Sequence, residues 1–125
     1  MKTIMLVDDS NTVLGTLSKV LENAGYKVEK ASNALEGLSK LKANLPVDLL
    51  ITDLYMPGMN GIEFVREVRT LPTYKFMPIL FHTTEKDERK RAEAKAAGAT
   101  AWMCKPVTTA ELSDAVHRML DYKHG

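Results

Sequence analysis

The sequence predicts an α/β fold in which five parallel strands form one sheet wound on both faces by helices. Three observations predict it. Short apolar runs alternate with segments of helical periodicity five times along 125 residues, the pattern of a parallel sheet with crossover helices. The runs are apolar at consecutive positions, as strands buried on both faces are. Four of them give way at once to a residue with chemistry, at Asp8, Asp53, Thr83 and Lys105, and ligands of open α/β sheets bind outside the carboxyl ends of the strands.

Each element has its own justification. Ile4–Val7 is a strand closed by Asp8-Asp9-Ser10-Asn11, with Ser10 and Asn11 placed to cap the helix that follows. That helix carries Val13, Leu14, Leu17, Val20, Leu21 and Ala24 on one stripe, and Gly25 supplies its stop. Tyr26–Ala31 alternates loosely and is interrupted by Lys27, Glu29 and Lys30, so it reads as a strand nearer an edge. Asn33 and Glu36 form a capping-box pattern opening a second helix, with Leu35, Leu38 and Leu41 on its buried side and Asn44-Leu45-Pro46 ending it.

Val47–Thr52 is the central strand. Asp53 emerges from it, and Pro57, Gly58 and Gly61 prevent its continuation. Asn60 then caps a helix bearing Ile62, Val65, Val68 and Leu71, with Phe64 near the same face. Pro72 and Pro78 bracket a connector before the strand Ile79–His82, which ends in Thr83-Thr84. Glu85–Ala97 is a charged helix with Glu85–Arg89 and Asp87–Arg91 four apart, an inward side made mostly of Ala92, Ala96 and Ala97, and Gly98 as its stop. Thr100–Cys104 is the fifth strand, running into Lys105-Pro106. Thr108 with Glu111 caps a last helix whose inner side is Leu112, Ala115, Val116, Met119 and Leu120.

Length and composition predict one domain, residues 1–125, with an ordinary single core. A net charge of +1 gives no electrostatic case for nucleic acid or a membrane surface. The apolar runs are far too short to span a bilayer, and Asp8-Asp9 follows the first run too soon for a signal peptide. One cysteine, Cys104, excludes an internal disulfide and fits a reducing compartment, so a cytoplasmic location is expected. Cys104 itself reads as a small core residue and His82 as a hydrogen-bonded strand histidine. His117 and His124 have no metal-type spacing to Cys104.

Right-handed crossovers and five βα units favour the strand order 2-1-3-4-5. In that order the strand ends bring Asp8, Asp9, Asp53, Thr83 and Lys105 to one crevice. Three carboxylates there repel one another unless a cation enters, and an all-oxygen donor set with room for water suits Mg²⁺. With an ammonium from Lys105 and a hydroxyl from Thr83, the set forms a cage for a phosphoryl group beside an Asp nucleophile.

Asp8-Asp9, Asp53 followed by Met56-Pro57-Gly58-Met59-Asn60-Gly61, Thr83 and Lys105-Pro106 resemble, in order and spacing, the response-regulator receiver family over essentially the whole chain. Thr83-Thr84-Glu85 and Gly98-Ala99-Thr100-Ala101-Trp102 resemble its CheY-like single-domain chemotaxis branch. The resemblance implies a flavodoxin-like (βα)5 fold, with Asp53 as phosphoacceptor. It implies Mg²⁺ held by Asp9 directly, by Asp8 through water, by Asp53 and by the Tyr55 carbonyl. Thr83 and Lys105 would contact phosphoryl oxygens, and the Lys105–Pro106 bond would be cis. Trp102 would take the switch position, ordinarily Tyr or Phe. Tyr55 and Glu85 would flank the approach of hydrolytic water and set the phosphorylated lifetime.

The implied partners are a sensor histidine kinase, a downstream target such as the flagellar motor or motility apparatus, and a phosphatase. Chemistry is confined to the chain's own phosphorylation and dephosphorylation. No DNA-binding segment follows the last helix, so output is expected from the face of helix 4, strand 5 and helix 5. A phosphate sink and a receiver in a non-motility phosphorelay are the alternatives within the family. Two other classes fit less well. A phosphatase of the haloacid-dehalogenase type wants an acid where Tyr55 stands. An FMN-binding domain needs a phosphate-cradling loop where Asp8-Asp9 would repel phosphate.

Overall fold

The structure, a computed structural model, describes residues 1–121. Strands β1 (Thr3–Val7), β2 (Lys27–Ala31), β3 (Leu49–Thr52), β4 (Ile79–Thr83) and β5 (Ala101–Cys104) form one parallel sheet in the order β2-β1-β3-β4-β5. Helices α1 (Asn11–Asn23), α2 (Ala34–Lys42), α3 (Gly61–Arg69), α4 (Glu88–Ala97) and α5 (Thr109–Asp121) alternate with the strands. A 3-10 turn, Pro72–Tyr74, lies in the connector between α3 and β4. This is the flavodoxin-like, doubly wound topology that the alternation predicts.

Strand side chains alternate between two cores. Met5, Val7, Leu50, Ile79 and Phe81 join Leu38, Leu41, Phe64, Val65 and Val68 on one side of the sheet. Ile4, Leu6, Leu49, Ile51 and Leu80 join Leu14, Leu21, Leu112 and Val116 on the other. Each of these large apolar side chains contributes about 1.5–3 kcal/mol by leaving water. The three central strands are buried along their whole length, whereas the edge strands β2 and β5 are partly exposed.

Helix ends follow local side-chain chemistry. Ser10 accepts from the Val13 amide, and Gly25, with φ +97°, follows the Ala24 cap of α1. Asn60 and Glu63 form a reciprocal capping box on α3, as do Thr108 and Glu111 before α5. At α2 only half the box forms. Asn33 accepts from Glu36, but the Glu36 carboxylate takes the amide of Ser32.

Several expectations fail in informative ways. Leu35 is 66% exposed, because the buried stripe of α2 runs through Ala34, Leu38 and Leu41. Helix α4 starts at Glu88, not Glu85: the Glu85 carboxylate accepts from the amides of Lys86 and Asp87, and Asp87 is the N-cap. The predicted pairing of Glu85 with Arg89 is replaced by a bond from Tyr55, and the Asp87 carboxylate takes the Arg89 amide. The inner side of α4 is Ala94, with Ala97 packed beside it, while Ala92 and Ala96 are exposed. Ala24 is likewise exposed, and so is Cys104 at the end of an edge strand. His124 lies outside the described residues.

One partly buried clamp has no sequence signature. The Arg69 guanidinium donates to the Gly98 carbonyl through Nε (3.1 Å) and Nη2 (2.6 Å), and to the Tyr74 carbonyl through Nη1 (2.9 Å). It ties the C-terminal end of α4 to α3 and the connector.

Gly61 fixes the loop after β3. Its amide donates to the Leu54 carbonyl at 2.7 Å, and a Cβ there would stand 2.3 Å from the Asp53 carbonyl oxygen. Gly61→Ala must therefore displace backbone next to Asp53. We expect a loss of about 1–3 kcal/mol, the usual cost of overpacking, read as a lower urea midpoint with unchanged m-value.

Candidate active site

The sheet register builds the site. Val7, Thr52 and Phe81 form one row across β1, β3 and β4. The next row is therefore Asp8, Asp53 and His82, and the ladder continues into it through the Asp53 amide, which donates to the Val7 carbonyl at 3.0 Å. Side chains in one row of a parallel sheet share a face, so two acids and a histidine stand side by side at the carboxyl edge.

Both acids are buried, Asp8 at 4% and Asp53 at 9% exposure. Their carboxylates are oriented by backbone amides. Ser10 donates to Asp8 Oδ1 at 2.9 Å, and Leu54 donates to Asp53 Oδ1 at 2.7 Å. Their other oxygens share one cation: Lys105 Nζ lies 3.1 Å from Asp8 Oδ2 and 3.1 Å from Asp53 Oδ2. The Lys105 amide donates to the Thr83 carbonyl at 2.8 Å, which registers the base of this side chain against β4. Burial opposes the ammonium charge, but the carboxylates of Asp53 and Asp8 outweigh it and hold the Lys105 pKa above its ordinary value. The Lys105–Pro106 peptide is cis.

Asp9 is exposed and completes the acid group. Asp8, Asp9 and Asp53 each present a carboxylate oxygen within 4.8 Å of the others. Hard oxygen donors in such a cluster, open to water through Asp9, fit Mg²⁺, which keeps several waters and takes few protein carboxylates.

Two loops meet over the site. The half-exposed Tyr55 donates its hydroxyl to the Glu85 carboxylate, linking the loop after β3 to the loop after β4. This bond is the main reason the Tyr55 pKa is raised and the Glu85 pKa lowered. Thr83 is fully buried, and its hydroxyl accepts from the Glu85 amide at 3.3 Å. The structure thus brings Asp8, Asp9, Asp53 and Lys105 together, with Thr83, Tyr55 and Glu85 as a second, connected group.

Comparison with known proteins decides the family. Residues 4–117 match the response regulator receiver domain. The chain belongs to the response regulator receiver family.

Its curated relatives include the chemotaxis protein CheY1 of Helicobacter pylori, 35% identical over 94% of this chain and 95% of that protein. The protein PilH of Pseudomonas aeruginosa is 31% identical over 96% of this chain and 98% of its own length. Among solved structures, the Vibrio cholerae chemotaxis protein CheY4 superposes with a TM-score of 0.92 and 42% identity, covering 96% of this chain and 99% of that one. The chain is thus a CheY-like receiver, of the class that serves two-component signal transduction. Among the described residues, no helix is long and apolar enough to cross a membrane.

In this receiver, Trp102 lies in the row of Val7, Thr52 and Phe81, one strand further out. It is partly buried, with its ring centroid 5.6 Å from that of Phe81 at a 34° tilt. Arg91, Ala94 and Lys95 of α4 border a cavity of about 200 Å³ beside it. Cys104 Sγ donates to the Glu85 carbonyl at 3.4 Å, so the thiol belongs to the loop over the site.

His82 departs from its predicted satisfied state. It is 6% exposed, and its Nδ1 has no hydrogen-bond partner among the described residues. Burial, reinforced by Lys105, pushes its pKa below the ordinary value against the pull of Asp8 and Asp53. Sequence reasoning missed its place beside the acids, although counting strand register from Asp53 would have found it.

Proposed function

We propose that this chain is a single, stand-alone receiver domain that takes a phosphoryl group from a histidine kinase onto Asp53 and passes the signal to a protein target. The observation that carries this reading is the shared ammonium. Lys105 bridges Asp8 and Asp53 at 3.1 Å each, beside a third carboxylate. A buried acid that is both a nucleophile and a member of a metal-type cluster suits phosphoryl transfer.

Asp8, Asp9, Asp53 and the Tyr55 carbonyl would hold Mg²⁺, which would neutralise charge on phosphoryl oxygens. A carboxylate oxygen of Asp53 forms the bond to phosphorus as the donor's N–P bond breaks, and the electron pair of that bond returns to the donor imidazole nitrogen. Lys105 pairs with a phosphoryl oxygen and stabilises its charge, and the Thr83 hydroxyl donates to another. Turning Thr83 toward the phosphoryl group releases its contact with the Glu85 amide. Trp102 on neighbouring β5 repacks in response, and the face of α4, β5 and α5 changes shape. Coupling of this kind amounts to roughly 1–3 kcal/mol. The chemotaxis proteins among the relatives support a cytoplasmic role with a target in the motility apparatus, such as the flagellar motor.

With Mg²⁺ and a small phosphodonor, Asp53 gains an acid-stable, base-labile phosphoryl group, detected by mass spectrometry of the peptide. Asp53→Asn does not, because an amide is no comparable nucleophile. Undiminished labelling of the variant would remove Asp53 from this role.

Hydrolysis requires water in line with the Asp53–phosphorus bond, and the Tyr55 ring, tethered to Glu85, covers that approach. Tyr55→Asn should shorten the half-life of the phosphorylated form several-fold, and Tyr55→Phe, which keeps the ring but loses the tether, should fall between. An unchanged or longer half-life for Tyr55→Asn would rule out shielding by this ring.

A further inference from the structure

Helix α4 ends in a clamp that helix capping does not require. Gly98 already closes the helix: its amide donates to the Lys95 carbonyl at 3.0 Å, and the Ala99 amide donates to the Ala94 carbonyl at 3.0 Å. The Arg69 guanidinium of α3 is added to this end. It donates twice to the Gly98 carbonyl, and through Nη1 to the carbonyls of Tyr74 (2.9 Å) and Lys75 (3.2 Å). A cation is favourable at the negative end of a helix, and a planar fork held by three carbonyls is fixed in direction. Glycine is required opposite it, since Gly98 has φ +121° and a Cβ there would stand 2.8 Å from Arg69 Cγ and Nε. Thr100, the residue before β5, is tied to β4 in turn. Its amide donates to the Ile79 carbonyl at 2.8 Å, and its hydroxyl accepts from the Ile79 amide at 3.0 Å.

The other end of α4 has a lighter hold. Its cap is the Asp87 carboxylate on the Arg89 amide, and the loop before it is tied by the Thr83 hydroxyl and the bond from Tyr55 to Glu85. Along its length α4 buries only Ala94. Its ion pair with α3, Arg66 to Glu93 at 3.8 Å, joins two exposed side chains, and such pairs contribute little. A cavity of about 200 Å³ separates Arg91, Ala94 and Lys95 of α4 from Thr100, Ala101 and Trp102. The helix is thus a rod held firmly at its last turn, with room along its inner side.

We propose that the clamp of Arg69 on Gly98 is the fixed pivot of α4: when the loop after β4 rearranges around a phosphoryl group, the helix tilts about Gly98 and the start of β5 stays in place. The proposal rests on the reading of Asp53 as the phosphoryl acceptor. Ten residues at about 1.5 Å each make a lever of about 15 Å, so a tilt of about 10° carries the Glu88 end roughly 2–3 Å and Lys95 less than about 1 Å. The cavity beside Trp102 then changes as a wedge, most at Arg91 and least at Lys95. A contact that is the same in both positions of the helix shifts no equilibrium. The clamp therefore sets which part of the face moves, and leaves the affinity for the phosphoryl group alone.

Amide hydrogen exchange of the unaltered protein, with and without Mg²⁺ and beryllofluoride as a phosphoryl stand-in, tests the pivot directly. Exchange should change several-fold over residues 84–92 and less than about twofold at residues 98–100. Arg69→Met keeps the stem of the side chain and removes the donors. In that variant the change should spread through residues 98–100 and the Trp102 fluorescence response should fall by half or more, with the beryllofluoride midpoint within about twofold. Arg69→Lys, which can still reach one carbonyl, should recover part of the response. A residue that only stabilises the fold would lower the unfolding temperature of Arg69→Met and leave the boundary at Gly98 and the Trp102 response as they were; that result overturns the proposal. So does a several-fold change at residues 98–100 in the unaltered protein, or a tenfold shift of the midpoint in Arg69→Met, since either means that the clamp breaks in the switch. The boundary in the unaltered protein decides the matter even if a variant fails to fold. If a phosphodonor labels Asp53 but no boundary lies at Gly98, the pivot alone falls. If the unaltered protein neither labels Asp53 nor binds beryllofluoride, both readings fall.

Discussion

Lys105 and the two carboxylates it bridges are the constraint on which the rest of the site depends. Two acids buried in adjacent positions of a row repel each other, and burying them is costly unless their oxygens are paired. Asp8 and Asp53 satisfy that requirement with one ammonium and two backbone amides. The cation comes from β5, so its side chain must reach across the end of β4 to meet acids on β3 and β1. A long, unbranched side chain spans that gap, and the succession β1-β3-β4-β5 in the sheet places the strand ends within its reach. Fold and charge arrangement are therefore one requirement.

Around this centre, packing is distributed unevenly. The central strands are buried along their whole length, which gives the acids a firm base. The covering loops are held more lightly, by the bond from Tyr55 to Glu85, the Thr83 hydroxyl and the Cys104 thiol. Helix α4 follows those loops and buries only Ala94. Its far end is locked by Arg69 through the Gly98 carbonyl. A helix pinned at one end and weakly packed along its length can tilt at the other, which is the end next to the site. Elements with little buried apolar area open and shift most readily.

Much of this was legible in the sequence, for physical reasons. The central strands announce themselves because burial on both faces demands consecutive apolar residues. The abrupt change to Asp8, Asp53 and Lys105 marks the edge of the sheet. Leu35 was misread because spacings of three and four both suit a helix stripe, and Ala34 competes with it for the inner side. The start of α4 was misread because Glu85 and Asp87 bind nearby amides themselves, a local preference that overrides helical charge spacing. Cys104 was misread because its small apolar character was taken as a sign of burial, although the predicted strand order already put its strand at the edge. Arg69 was invisible, since its partners are backbone carbonyls remote in sequence. His82 was noticed, but its row was not counted.

The proposed function requires Asp8, Asp9, Asp53 and Lys105 to form a preorganised receptor for a phosphoryl group. Its most direct test is fluorine NMR of the protein titrated with beryllofluoride, a phosphoryl mimic, with and without Mg²⁺. A bound resonance should appear only with Mg²⁺, saturate at one equivalent per chain and disappear in Lys105→Met. A bound signal that persists unchanged in Lys105→Met, or no bound signal at saturating Mg²⁺, would contradict it.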